Sequence, residues 1–108
     1  MAHSATPHPL GKYNHWPMQI ERSLSELGDR LSRARADLRI IEEQLVFQMD
    51  VLEDAKTRML VSETPLADRA FRVARDDYDR MRRERERVTA EVAELLAEQD
   101  RLLDRMLG

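Results

Sequence analysis

The spacing of the apolar residues constrains this chain most, because they recur at alternating steps of three and four along two long stretches. The positions in the first stretch are Ile20, Leu24, Leu27, Leu31, Ala34, Leu38, Ile41, Leu45, Gln48, Leu52, Ala55 and Met59, of which only Gln48 is polar. Those in the second stretch are Ala67, Phe71, Ala74, Tyr78, Met81, Arg85, Val88, Val92, Leu95, Gln99, Leu102 and Met106, where only Arg85 and Gln99 depart from the apolar pattern. This is the spacing of the core positions a and d in the seven-residue repeat abcdefg, which predicts a coiled coil.

The segment between the two stretches predicts a tight turn. Thr64 is a good N-cap and Pro65 suits the first position of a helix, while the residue before a proline avoids helical geometry. The sequence therefore predicts helices over about 18–61 and 65–107, with the turn at 62–64. The tip of the resulting hairpin comprises Ser62, Glu63, Thr64 and Pro65. The predicted fold is all-α, an antiparallel coiled-coil hairpin that becomes a four-helix bundle if two copies associate.

Folding the chain back at Glu63 pairs each a position of one helix with a d position of the other. Ala55 then faces Phe71, a small residue against a large one, as packed cores prefer. Gln48 faces Tyr78, and a hydrogen bond between their side chains would fix the register of the two helices. Beside this seam the same register brings Asp37 and Glu91 together. That pairing of like charges is unfavourable, although its effect is small at an exposed position.

Residues 1–17 differ in composition from the rest of the chain. They hold three of the four prolines, all three histidines and the only tryptophan, Trp16. We expect a flexible tail that ends where the first helix begins. Two states of the tail remain open, a mobile one and one in which it covers a second apolar set, Ala93, Leu96 and Leu103.

Composition excludes several functional classes. The chain has 108 residues, no cysteine and a net charge of −3, and 36% of its residues are charged. It lacks disulfides and thiolate metal sites, and we find no phosphate-binding glycine loop or nucleophile motif. We therefore expect no enzyme activity, cofactor or metal, with His3, His8 and His15 unligated. Nucleic acid is not expected as a direct ligand. No apolar run is long enough to span a membrane, so we expect a cytoplasmic protein.

One side of the predicted hairpin carries apolar residues outside the seam. They occupy the c and g positions near the turn and are Ile40, Phe47, Val51, Val61, Leu66, Ala70 and Val73. We call this set the near-turn patch. A contiguous exposed apolar patch usually marks an interface, so we expect the partner to be a second copy of the chain or another protein. The leading hypothesis is a non-enzymatic interaction or scaffold module.

The alternative uses the hairpin tip, where the acid Glu63 stands within an apolar rim that includes Leu60 and Leu66. In outline this hairpin resembles the N-terminal hairpin of Gre-type transcript-cleavage factors. The resemblance covers the hairpin architecture alone. It implies a regulator that inserts its tip into RNA polymerase or another nucleic-acid machine.

Overall fold

The protein is an all-α helical hairpin. The computed structural model describes the backbone of residues 7–108 and the side chains of residues 18–108. Helix α1 spans Pro7–Ser62, with 56 residues, and helix α2 spans Pro65–Leu107, with 43 residues. Glu63 and Thr64 connect them, so α2 has the bounds that the sequence indicated.

Helix α1 begins well before the expected start at about residue 18. The sequence predicts a flexible tail over residues 1–17, but the helix runs through Pro17 back to Pro7. Pro7 and Pro9 suit the first turn of this helix, because the N–H groups of a first turn have no helical acceptor and their loss costs nothing there. Pro17, inside the helix, removes one backbone hydrogen bond. The predicted start of α1 at about residue 18 is therefore wrong, because residues 7–17 are helical. Docking of the tail concerns side chains outside the described residues.

The turn combines a left-handed residue with a capping threonine. Glu63 has a positive φ of 49°, and its N–H donates to the carbonyl of Met59 at 3.1 Å. This bond closes the end of α1 in the pattern of a left-handed C-terminal cap, a place where glycine is usual. The N–H of Ala67 donates to the hydroxyl of Thr64 at 3.1 Å, which confirms Thr64 as the N-cap of α2.

Burial follows the predicted seam. Every predicted a and d position of α1 from Ile20 to Met59 is buried or half-buried. On α2 the same holds from Ala67 to Leu102, and Met106 is the exception, with 43% of its surface exposed. Spacing alone thus located the apolar stripe of each helix, since both stripes obey one helical period.

The chain divides into two compact units. The turn unit comprises Ala34–Glu91, and the terminal unit comprises, among the described residues, 7–33 together with Val92–Gly108. The core of the turn unit has buried Ile41, Leu45 and Val88 at its centre. Leu38, Tyr78 and Met81 pack against these three. In the terminal unit, Ile20, Leu27, Leu31 and Leu95 are buried.

Candidate interaction surface

All members of the near-turn patch are exposed. Phe47 has 63% of its surface accessible, Leu66 74% and Val61 79%. Ile40, Val51 and Val73 are exposed as well, and so is Ala70. These side chains therefore keep a large part of their apolar surface outside the seam, and that area is available to a partner.

Part of the patch lines a single groove of the turn unit, which we call the near-turn groove. Val51 of α1 lines it together with Leu66, Ala70 and Val73 of α2. The buried residues Ala55 and Ala74 also line it, as do the charged residues Asp54, Arg58, Arg69 and Asp77. The structure thus brings four of the seven predicted interface residues together across the two helices.

The other three patch residues extend this face along α1. Phe47 precedes Val51 by four residues, so the two side chains are neighbours on the helix surface. Ile40 lies one heptad before Phe47, and Val61 occupies the same heptad position closer to the turn. None of the three lines the near-turn groove. They are better described as an apolar stripe beside it.

Charges in the near-turn groove are partly paired within each helix. Arg58 forms an ion pair with Asp54 at 2.8 Å, and Asp77 accepts a hydrogen bond from Arg80. Arg69 takes part in no hydrogen bond or ion pair with any residue that the structure describes. Both Arg58 and Arg69 lie at the end of the groove close to the turn, whereas Asp77 lies at the far end.

Gln48 and Tyr78, the two residues predicted to fix the register of the helices, lie in different environments. Gln48 is half-buried and lines a groove with Asp77 and Met81. Tyr78 is half-buried and packs against the core of the turn unit. Among the described side chains, no hydrogen bond joins Gln48 to Tyr78. Their role in fixing the register stays a prediction that rests on their positions along the seam.

Sequence reasoning missed a second groove of the turn unit, on the opposite side of the hairpin seam. Val46 and Met49 are exposed there, at b and e positions of the repeat. Arg85, a polar residue at a core position, is half-buried and lines this groove with Glu42 and Asp50. The signal in the sequence was weak, because Val46 and Met49 are only two apolar residues on a face that also carries Glu42, Asp50 and Arg85.

A cluster of charges lies on α2 around Arg87. Its guanidinium hydrogen-bonds to the carboxylate of Glu84 and also lies 4.0 Å from that of Glu91. The hydrogen bond from Arg87 lowers the pKa of Glu84 below its usual value. In turn the pKa of Arg87 is raised, mainly by that hydrogen bond and further by the charges of Glu84, Glu91 and Asp37. Arg87 therefore offsets the expected repulsion between Asp37 and Glu91.

The hairpin tip is exposed throughout. Ser62, Glu63, Thr64 and Pro65 all face solvent. Leu60 flanks them on α1 with 63% of its surface accessible. The tip therefore joins one acid to several apolar side chains at the end of the turn unit.

Neither helix, over the residues that the structure describes, has an apolar stretch suited to crossing a bilayer. Among the side chains that the structure describes, those of residues 18–108, no group of three acidic or histidine residues is placed to hold a metal ion, and the side chains of all three histidines lie outside this range. No model of a protein family matches the chain, and neither the curated proteins nor the solved structures yielded a match.

Proposed function

We propose that this chain is a non-enzymatic interaction module that binds a protein partner through the near-turn patch. The observation that carries the proposal is the exposure of Phe47, Val61 and Leu66 on one side of the turn unit. Burying a large apolar side chain contributes about 1.5–3 kcal/mol. A partner that covered several of these residues would therefore gain substantial binding free energy.

The form of the surface suits a helical partner. The near-turn groove runs between α1 and α2, with Val51 on one wall, Val73 on the other and Ala55 and Ala74 among its buried lining. Small residues in a groove let another helix approach closely, and apolar helices dock in such grooves through anchors spaced by three, four and seven residues. A four-helix bundle is the usual outcome when both partners are helical hairpins.

Substitution of Phe47 by Glu tests the proposal. The variant should keep its helix content, since Phe47 lies outside the seam, but should lose association with its partner. Val46→Glu is the matched control, because Val46 is also an exposed apolar residue of α1 that lines only the opposite groove. Circular dichroism gives helix content. Light scattering of the pure protein and affinity capture from cells that express it give association. Equal association of wild type and Phe47→Glu in both assays would contradict the proposal.

A second candidate function uses the hairpin tip. Glu63 holds the left-handed conformation at an exposed position, where glycine would be less strained. Strained residues are often retained at functional sites. On this candidate the tip enters a nucleic-acid machine such as RNA polymerase and presents the Glu63 carboxylate. Co-purification of such a machine with wild type, and its loss with Glu63→Gln, would support the tip and not the near-turn patch.

A further inference from the structure

Three residues of α2 that line the near-turn groove, Arg69, Val73 and Asp77, are evenly spaced along the helix. Arg69 and Asp77 each lie four residues from Val73, one towards the turn and one away from it. Four residues correspond to about 6 Å along a helix axis. A basic side chain and an acidic side chain therefore lie at equal distances on either side of an exposed valine.

Arg58 of α1 adds to the basic end of the groove. It lines the groove together with Arg69, and Ala70 lies there as well. At this end Arg58 is paired with Asp54, so Arg69 carries the net positive charge. Asp77 is the acid at the other end. A groove with opposite net charges at its two ends is complementary to its own copy turned end to end. Two-fold symmetry makes every such contact occur twice, because the same surface serves both partners.

We propose that the occupant of the near-turn groove is a second copy of this chain, in antiparallel orientation, with a two-fold axis at Val73. This inference rests on the proposed function and names its partner. In this arrangement the second copy's Asp77 lies beside Ala70, between Arg58 and Arg69. The two Val73 side chains meet at the axis, where they bury apolar surface that is exposed in the single chain.

Side-chain size supports a close approach of the two copies. Ala70 offers space beside the basic end, and the buried Ala55 and Ala74 also line the groove. The ion pairs within each chain remain compatible with the dimer. Asp54 stays beside Arg58 and Arg80 stays beside Asp77, so the new contacts extend two existing pairs into alternating charge networks. Arg69, which has no partner among the described residues, gains one.

Mixing two charge variants tests the proposed orientation. Arg69→Glu alone places Glu opposite Asp77 twice, and Asp77→Arg alone places Arg opposite Arg69 twice. Each variant should dimerise more weakly than wild type by about tenfold or more, because like charges meet in the interface. An equimolar mixture should form heterodimers. In the heterodimer one of the two contacts between positions 69 and 77 joins the new Glu to the new Arg, and the other keeps the native pair of Arg69 and Asp77. Native mass spectrometry of isotope-labelled chains measures the heterodimer fraction, with circular dichroism to confirm folding.

Val73→Glu tests the position of the axis, with Val46→Glu as its control. Sedimentation equilibrium over a concentration series should show a dimer for wild type and for Val46→Glu, and a monomer for Val73→Glu. A dimer that persists in Val73→Glu would overturn the proposal. So would charge variants that dimerise as tightly as wild type and show no preference for heterodimers.

Failure of the dimer is distinguishable from failure of the proposed function. Wild type that stays monomeric at the highest soluble concentration would overturn the second copy as the occupant. If cells then yield a protein captured by wild type but not by Val73→Glu or Phe47→Glu, the near-turn patch binds another protein and the proposed function stands. If nothing depends on these residues in either assay, both the dimer and the proposed function are overturned.

Discussion

Glu84 and Arg87 lie one turn apart on α2, and the arginine donates two hydrogen bonds to the carboxylate. Nη2 of Arg87 lies 2.6 Å from Oε1 of Glu84, and Nε lies 3.2 Å from Oε2. This bidentate geometry holds the carboxylate ionised, which is why the pKa of Glu84 falls. The negative charges of Glu91 and Asp37 also stabilise the charged form of Arg87. One guanidinium therefore interacts electrostatically with three acidic side chains of the turn unit.

Removing this guanidinium should raise the pKa of Glu84 towards its ordinary value. A lowered folded-state pKa stabilises the fold above the unfolded-state value, about 4.3, and the stabilisation is lost as the pH falls through the folded-state value. The stability difference between wild type and Arg87→Met should therefore be present at neutral pH and vanish in acid. Carbon-13 titration of the Glu84 carboxyl measures the pKa directly. Arg83→Met is the control, and an unchanged Glu84 pKa in Arg87→Met would contradict the assignment.

The predicted seam can be tested at Leu38. This residue packs against the core of the turn unit with Val88, so Leu38→Asp should cost about 3 kcal/mol or more, because a charge cannot stay buried without a partner. Arg39→Asp places the same side chain on the exposed face and should change stability little. Chemical denaturation followed by circular dichroism at fixed protein concentration measures both. Equal destabilisation in the two variants would show that the register is misplaced.

The N-cap of α2 predicts opposite effects for two substitutions of threonine by alanine. Thr64→Ala removes the acceptor of the Ala67 N–H and should destabilise the chain by about 1 kcal/mol. Thr57 bonds instead to the carbonyl of Glu53 within α1, on an exposed surface. Thr57→Ala should be neutral or slightly stabilising, because alanine is the better helix former. Thermal unfolding of both variants would reveal a contradiction if Thr57→Ala proved the more damaging.

The left-handed conformation of Glu63 makes the turn sensitive to the type of residue. Glu63→Gly should relieve about 1 kcal/mol of backbone strain, partly offset by the greater entropy of glycine in the unfolded chain. Glu63→Val should be destabilising, since a β-branched residue tolerates positive φ poorly. Denaturation midpoints for the two variants should therefore fall on either side of wild type or, for glycine, coincide with it. A valine variant as stable as the glycine variant would refute the turn geometry.

The features that depend on helical periodicity were predictable from the sequence. Leu38 and Val88 were expected in the seam, and both contribute to the core of the turn unit, because spacing fixes the face of a helix. The start of α1 was not predictable, because Pro7 and Pro17 are equally suited to the first turn of a helix. The positive φ of Glu63 was not predictable, because glycine is the residue that usually signals this conformation and none occurs in the turn.

The candidate surface was predicted in its position and only partly in its shape. The repeat placed Val51 and Val73 on one side of the hairpin, and they line one groove. The repeat did not indicate that Phe47 would lie beside this groove. A heptad position predicts which side of the helix a residue faces, but not the shape of the surface that the residues form together. The pairing of Arg87 with Glu84 was also beyond the sequence, since exposed arginines choose among several acids one turn away.

The short turn also bears on how the chain folds. With only Glu63 and Thr64 between the helices, the first seam contacts beside the turn close a small loop and lose little chain entropy. Contacts farther along the turn unit, such as those within the cluster of Ile41, Leu45 and Val88, join residues that are more distant in sequence. We therefore expect nucleation beside the turn and progressive pairing away from it. Ala55→Gly should therefore mainly slow folding, whereas Val88→Ala should mainly speed unfolding. Stopped-flow kinetics measures both rates, and the opposite pattern would show that pairing begins away from the turn.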